Sequence, residues 1–101
     1  MTGFQIAING KPLYTAGVGE LGVMHACVNW ACYPTKSGSP EEHHWIGTRT
    51  SEEPSSNQPR RYWPVTLLKI GDEVTIKIVE VESADPPLPG MPDYPPPESA
   101  P

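Results

Sequence analysis

The stretch that decides the fold is LLKIGDEVTIKIVEVESADPPLPG, which runs from Leu67 to Gly90. In its middle, Val74, Ile76 and Ile78 alternate with polar residues, and this period of two predicts a β-strand. Its end is rich in proline, which has no backbone N–H to donate to a sheet, so the strand should stop at about Ala84. The stretch therefore predicts a β domain whose last strand leads into a proline-rich tail.

Strand patterns continue elsewhere in the chain, and no helical period is present. FQIAING, which starts at Phe4, alternates in the same way, and Asn9-Gly10 is a dipeptide typical of a two-residue hairpin turn. GVMHACVNWACY, from Gly22 to Tyr33, has an apolar residue at every second position. We expect an all-β fold, either a small β-sandwich or an open barrel, with about five to seven short strands.

The strand faces also predict a core. We expect four apolar side chains on these faces to be buried: Val28, Trp30, Ile76 and Ile78. The apolar positions change phase at Ile78-Val79, which predicts either a β-bulge in the last strand or burial of the strand on both sides. Of the three tryptophans, Trp63, close to the Arg60-Arg61 pair, is expected to be the most exposed, and if exposed it would serve as an interface anchor; whether Trp45 and Trp63 belong to the core stays open.

The chain is long enough for one domain, which we expect to cover residues 1–84. Inside it, residues 34–62 are rich in Ser, Pro, Glu and Gly and predict a long loop region with one short strand near 44–49. Residues 85–101 form a proline-rich tail that we expect to be extended or disordered. Leu88, Met91 and Tyr94 lie among its prolines, as apolar anchors of a docking segment would.

Composition argues against several partners. The net charge is −5, with 7 Lys and Arg against 12 Asp and Glu, and the only basic cluster is Arg60-Arg61, so we predict no nucleic-acid partner. No apolar run is long enough for a membrane span, and the N-terminus lacks the pattern of a secretory signal. Cys27 and Cys32 would point to opposite faces of one strand, and two unpaired thiols are typical of a reducing cytoplasm.

Three segments carry a resemblance to other proteins. They are NGKPLYTAGVGELGVM (9–24), VNW (28–30) and LLKIGDEVTIKIVEVESADPP (67–87), and together they cover roughly half of the chain. In these segments the chain resembles a group of small, uncharacterised, β-rich bacterial proteins. The resemblance implies a bacterial, soluble, stand-alone β protein, and it implies no activity.

One constellation of residues could carry chemistry. His25 and Cys27 would project from the same strand face and, together with His43 or His44, could supply three zinc ligands. The tight CxxC or HxxxH pairs of strong zinc sites are missing, so we predict no metal and no cofactor. A thiol-dependent enzyme centred on the same residues stays open, although no helix is predicted that would activate the thiol.

The sequence therefore favours a non-enzymatic protein-interaction module of an inhibitor, immunity or accessory type. The first alternative is the small metal-binding or thiol-dependent enzyme centred on His25, Cys27, His43 and His44. The second is a structural subunit that assembles through its edge strands. The residues that we predict to contact a partner, which is either another protein or a second copy, are Trp45, Arg60, Arg61, Trp63, Leu88, Met91 and Tyr94.

Overall fold

A computed structural model describes residues 1–19, 22–36, 38–50 and 60–92 of the chain. The all-β prediction is confirmed, because six strands and no helix are found among these residues. The strands are β1 (Thr2–Ile8), β2 (Lys11–Gly17), β3 (Met24–Tyr33), β4 (Glu41–Thr50), β5 (Thr66–Leu68) and β6 (Val74–Glu80). They form two antiparallel sheets of three strands each, with the order β2-β1-β6 in the first sheet and β3-β4-β5 in the second.

The predicted hairpin joins β1 and β2. Asn9 and Gly10 have φ angles of 52° and 80°, as a tight hairpin turn requires, and Ile8 pairs directly with Lys11. Pro12 lies on β2, which is an edge strand. This position is expected because proline has no backbone N–H to donate to a neighbouring strand. The register of this pair shifts between Ile6 and Ala7. The pairing of β1 with β6 is regular along its whole length, and Ile78 is 72% exposed. Neither the bulge nor the burial on both sides predicted at Ile78-Val79 is therefore found.

A second turn is fastened to this hairpin. The carboxylate of Asp72 accepts hydrogen bonds from the Lys69 backbone N–H at 2.9 Å and from the Asn9 side-chain amide at 3.0 Å. Both bonds favour the ionised form, so they hold the pKa of Asp72 below its ordinary value, the Lys69 N–H having the larger effect. Asn9 also exchanges two hydrogen bonds with the backbone of Glu73. The start of β6 is thereby fixed to the tip of the hairpin.

The core lies between the two sheets. It contains Ile6, Tyr14, Ala16, Ile46 and Trp63, all buried, and Phe4, Ile8, Val18, Met24, Ala26, Leu68 and Val74 pack around them. The hydroxyl groups of Tyr14 and Thr48 lie 2.8 Å apart inside it and form a buried hydrogen bond that joins β2 to β4. A core of this size is small, since short chains have little interior for their surface.

The chain after β6 closes one side of this sandwich. Thr15, on the outer edge of β2, donates its backbone N–H to the Asp85 carboxylate at 2.8 Å, and its carbonyl oxygen accepts the Asp85 N–H at 2.8 Å. The indole N–H of Trp63 donates to the Asp85 carbonyl oxygen at 2.9 Å, and the Leu88 N–H donates to the Tyr62 carbonyl oxygen at 2.6 Å. Hydrogen bonds to the body of the protein thus continue past residue 84, where we expected the tail to begin.

These contacts correct one prediction about the aromatic residues. Trp63 is completely buried, and the prediction that it is the most exposed tryptophan is wrong. Its indole ring fills the core, and its single polar atom reaches the Asp85 carbonyl oxygen, so burial leaves no donor unsatisfied.

The short strand expected near 44–49 falls within β4, which has 10 residues. None of the described residues belongs to a helix with the length and apolar character needed to cross a membrane.

Candidate interaction surface

The sandwich has an open side opposite the closed one. Asp85 and Trp63 join the outer edge of β2 to residues 60–68, which run along β4 and contain β5. Because β2 and β5 are the edges of their sheets on the closed side, the edges on the other side are β6 and β3. We call this second side, formed by β3 and β6, the open side.

Four large apolar side chains form the surface of the open side. In the pairing register, Ile76 and Ile78 lie opposite Ile6 and Phe4, and Val28 lies opposite Ile46. Residues directly opposite each other in a sheet point to the same face, so these side chains and Trp30, two residues after Val28, point inwards. They are nevertheless exposed by 58% (Val28), 64% (Trp30), 40% (Ile76) and 72% (Ile78).

The prediction that these four residues are buried is therefore wrong. The strand period correctly predicts that they share a face with core residues, but each lies on a strand at the edge of its sheet. A side chain at a sheet edge is buried only if the opposite sheet, or another molecule, extends over it. The described part of the chain provides no such cover, and an apolar surface results.

The backbone of β3 also presents hydrogen-bonding groups on an edge that pairs with no other described strand. Thr50 donates its N–H to the Arg61 carbonyl oxygen, and Trp63 donates its N–H to the Thr48 carbonyl oxygen, so the even-numbered residues of β4 bond away from β3. The odd-numbered ones therefore bond to β3, where their partners are also odd-numbered. It follows that the even-numbered residues of β3 direct their N–H and C=O groups to the open edge: Met24, Ala26, Val28, Trp30 and Cys32.

The same reasoning applies to β6. Val81 and the N-terminal residue Met1 exchange backbone hydrogen bonds of 2.8 and 2.6 Å, so the odd-numbered positions of this strand face β1. The even-numbered residues Val74, Ile76, Ile78 and Glu80 then direct their backbone groups outwards. On each of these two strands, exposed apolar side chains therefore stand beside an edge that pairs with no other described strand.

Only two of the four residues of the metal or thiol hypothesis, His25 and Cys27, come together. His25 and Cys27 lie on the outer face of the second sheet and line a pocket of about 310 Å³ together with Asn29, Gly47, Arg49 and Met91. His43 is six positions before Arg49, the pairing partner of His25, which is about 20 Å along an extended strand. His44 points to the other face of the sheet. Nowhere in the described ranges do three His, Cys, Asp or Glu residues form a group that could hold a metal ion.

Each of the two neighbouring histidines has an acidic residue beside it. The Nε2 atom of His43 lies 3.7 Å from the Glu41 carboxylate, and that of His44 lies 3.4 Å from the Glu42 carboxylate. Each pair spans two positions of β4, so its members share a face of the strand. Both carboxylates are exposed, so the pairs contribute little to stability. Cys27 and Cys32 are both free and exposed.

The other predicted contact residues are scattered over the protein. Trp45 is buried on the outer face of the second sheet, between Asn29 and Leu67, and its indole N–H has no partner among the described residues. Arg60 is exposed, Arg61 and Leu88 are half-buried, and Met91 is 67% exposed. Tyr94 lies outside the described residues. The open side is therefore formed by residues that sequence reasoning assigned to the core.

One sequence signal could have indicated this surface. From Leu21 to Thr35, 15 consecutive residues contain no Lys, Arg, Asp or Glu. Edge strands usually carry such charges because they discourage pairing with other chains. A long strand without charge is therefore unusual at the edge of a sheet, which is where β3 lies.

No family model, curated protein or solved structure matches the chain. The resemblance to small bacterial β-rich proteins therefore stays a prediction.

Proposed function

We propose that this chain is a non-enzymatic protein-interaction module that binds its partner through the open side. The observation that supports this proposal is the exposure of Val28, Trp30, Ile76 and Ile78 on the inner faces of two edge strands. Monomeric proteins in water rarely expose large apolar patches, and such patches usually mark interaction sites. A partner that covers these side chains would complete the core that the two small sheets leave uncovered.

Trp30 is the residue on this surface with the largest expected contribution. Its side chain is 64% exposed on the inner face of β3, and its pairing partner on β4 is His44. Tryptophan is enriched among the few residues that provide most of the binding energy in protein interfaces, because it buries a large rigid area.

The biological role of the protein is of an inhibitor, immunity or accessory type. We assign it to the bacterial cytoplasm because of the sequence resemblance and the two free cysteines.

A capture experiment with matched double variants tests the proposal. The wild-type protein, a Trp30→Ser/Ile78→Ser variant and a Leu67→Ser/Ile70→Ser variant are immobilised and exposed to a cytosolic extract of the expressing bacterium. Leu67 and Ile70 are exposed by 40% and 86%, so the control also replaces exposed apolar residues, but away from the open side. Captured proteins are identified by mass spectrometry, and one is then purified for calorimetry.

The expected result is a partner that the wild type and the control retain and that the open-side variant loses. With purified components, Trp30→Ser/Ile78→Ser should weaken binding at least about tenfold, because a buried tryptophan anchor is removed. The control should bind within about twofold of wild type, because exposed positions outside an interface contribute little. A partner that binds both variants equally well would contradict the assignment of the open side.

A further inference from the structure

The edge of β3 lacks the charges, the proline and the short length that protect other edge strands of this protein from pairing. β2 carries Lys11 and Pro12, β6 carries Lys77 and Glu80, and β5 has only three residues. Charges, proline and short length are the devices by which natural edge strands avoid uncontrolled association. β3, with 10 residues, has no Lys, Arg, Asp, Glu or Pro. Among the six described strands, it is the edge best suited to pairing.

We propose that β3 pairs with β3 of a second copy of this chain, antiparallel and about a twofold axis at Val28. This inference rests on the proposed function, since it names the partner for the β3 half of the open side. The axis is perpendicular to the sheet, so the inner faces of the two copies form one continuous surface. The second sheets of the two copies then join into a single sheet of six strands.

The direction of the backbone groups determines which residues pair. Because the even-numbered residues of β3 direct their N–H and C=O groups to the open edge, they must form the hydrogen-bonded pairs. An axis at Val28 uses almost the whole of Met24–Tyr33, since this residue is near the middle of the strand. All even positions from Met24 to Cys32 then find a partner, which gives about ten hydrogen bonds across the dimer. Specific interfaces typically contain about this number.

The side chains also fit this register. Trp30 lies opposite the partner's Ala26, and Cys32 lies opposite the partner's Met24, so in both pairs a large side chain meets a small one. Such alternation lets side chains pack without clashes across a sheet. An axis at Trp30 would place two tryptophans against each other and leave Met24 and Ala26 without a partner strand.

Charge opposes a second copy less at the edge of β3 than at the edges of β2 and β6. Each chain has a net charge of −5, so two copies repel each other over most of their surface. β3 contains no formal charge, and its single titratable imidazole, His25, is opposite the partner's Ala31 in this register. The edge of β6 is less suitable, because Lys77 and Glu80 lie on it and charged residues of this kind discourage pairing of edge strands.

A matched pair of lysine substitutions tests the dimer. Val28→Lys places two ammonium groups at the twofold axis, while Ile78→Lys makes the same kind of change on the other edge strand. Val28 and Ile78 are exposed by 58% and 72%, so either lysine can reach water in the monomer. Mass is measured by light scattering and sedimentation over a wide range of protein concentration, and circular dichroism checks that both variants fold.

Wild type and Ile78→Lys should approach twice the 11.0 kDa mass of the chain as the concentration rises. Val28→Lys should remain monomeric or raise the dissociation constant by about fivefold, since two ammonium groups would lie directly opposite each other across the strand pair, where like charges are destabilising. A second measurement does not depend on the lysine variants. In a chain with Cys27→Ser and Cys32→Ser, Val28→Cys should form a disulfide-linked dimer on mild oxidation, because hydrogen-bonded partners lie about 5.5 Å apart between Cα atoms. Ile78→Cys in the same background should stay monomeric.

Other outcomes overturn the inference. The inference is wrong if the wild type is monomeric at every concentration. It is also wrong if the Val28→Lys variant dimerises like the wild type. Loss of the dimer in Ile78→Lys alone would move the interface to β6, and growth into long assemblies would indicate pairing of β3 with β6. The dimer and the proposed function can fail independently of each other. If the wild type is monomeric but the Trp30→Ser/Ile78→Ser variant still loses a captured partner, the dimer is refuted and the proposed function is retained. A dimer that captures no other protein retains only the self-association.

Discussion

Removal of one methyl group from each of two isoleucines distinguishes the observed core from the one that strand patterns suggest. Ile46 and Ile78 both point to the inner faces of the sandwich, but Ile46 is completely buried and Ile78 is 72% exposed. We expect Ile46→Val to lower the free energy of unfolding by about 0.5–1.5 kcal/mol, because the lost methyl leaves a small cavity. We expect Ile78→Val to change it by less than about 0.5 kcal/mol, as is usual for surface positions. Both changes replace one β-branched residue by another, so strand propensity is almost unaffected.

Thermal unfolding followed by circular dichroism measures the difference. For a domain of this size, each 1 kcal/mol corresponds to about 4–8 °C in melting temperature, so Ile46→Val should melt several degrees below Ile78→Val. A control at Ile6, which is also completely buried on the facing sheet, should behave like Ile46. Equal losses for Ile78→Val and Ile46→Val would refute the reasoning, because they would show that something covers the inner face of β6.

Two further predictions concern the polar contacts. Asp72→Asn should destabilise the protein at neutral pH, because the carboxylate that binds the Lys69 N–H and the Asn9 amide is lost. The folded pKa of Asp72 lies below its ordinary 3.8, so this contribution is present above pH 3.8 and disappears as the pH falls through the folded pKa. Urea titrations of wild type and variant should converge in acid, and a gap that does not depend on pH would contradict the assignment. Asp85→Ala removes the carboxylate that accepts the Thr15 N–H and should cost about 0.5–1.5 kcal/mol in the same assay. An unchanged midpoint would show that this bond does not hold the closed side together.

Local patterns in the sequence predicted the elements that depend on neighbouring residues. The Asn9-Gly10 turn depends only on two residues that tolerate positive φ, and the structure confirms it. The alternation of Phe4, Ile6 and Ile8 predicted a strand with one apolar face, and this face is the core face of β1. These features are visible without knowledge of the fold, because they result from backbone geometry and a period of two.

The candidate site was not predictable in the same way. Val28 and Trp30 have the pattern of core residues, and Trp63 lies in a polar neighbourhood, yet Trp30 is exposed and Trp63 is buried. The acceptor of the Trp63 indole, the Asp85 carbonyl oxygen, is 22 residues away along the chain. Nothing local to Trp63 indicates that the chain after β6 returns to cover it.

The sequence by itself determined the all-β class, the hairpin and the assignment of strand residues to faces, because these depend on the spacing of side chains along one extended segment. Only the tertiary structure decided which inward-pointing residues are buried. Burial requires a second sheet above the first. Among the described residues, the two sheets of three strands cover the inner face along their middle and closed side but leave Val28 and Trp30 of β3 and Ile76 and Ile78 of β6 exposed. The order of strands in the two sheets, which no short stretch of sequence encodes, therefore converts part of an intended core into an exposed apolar surface.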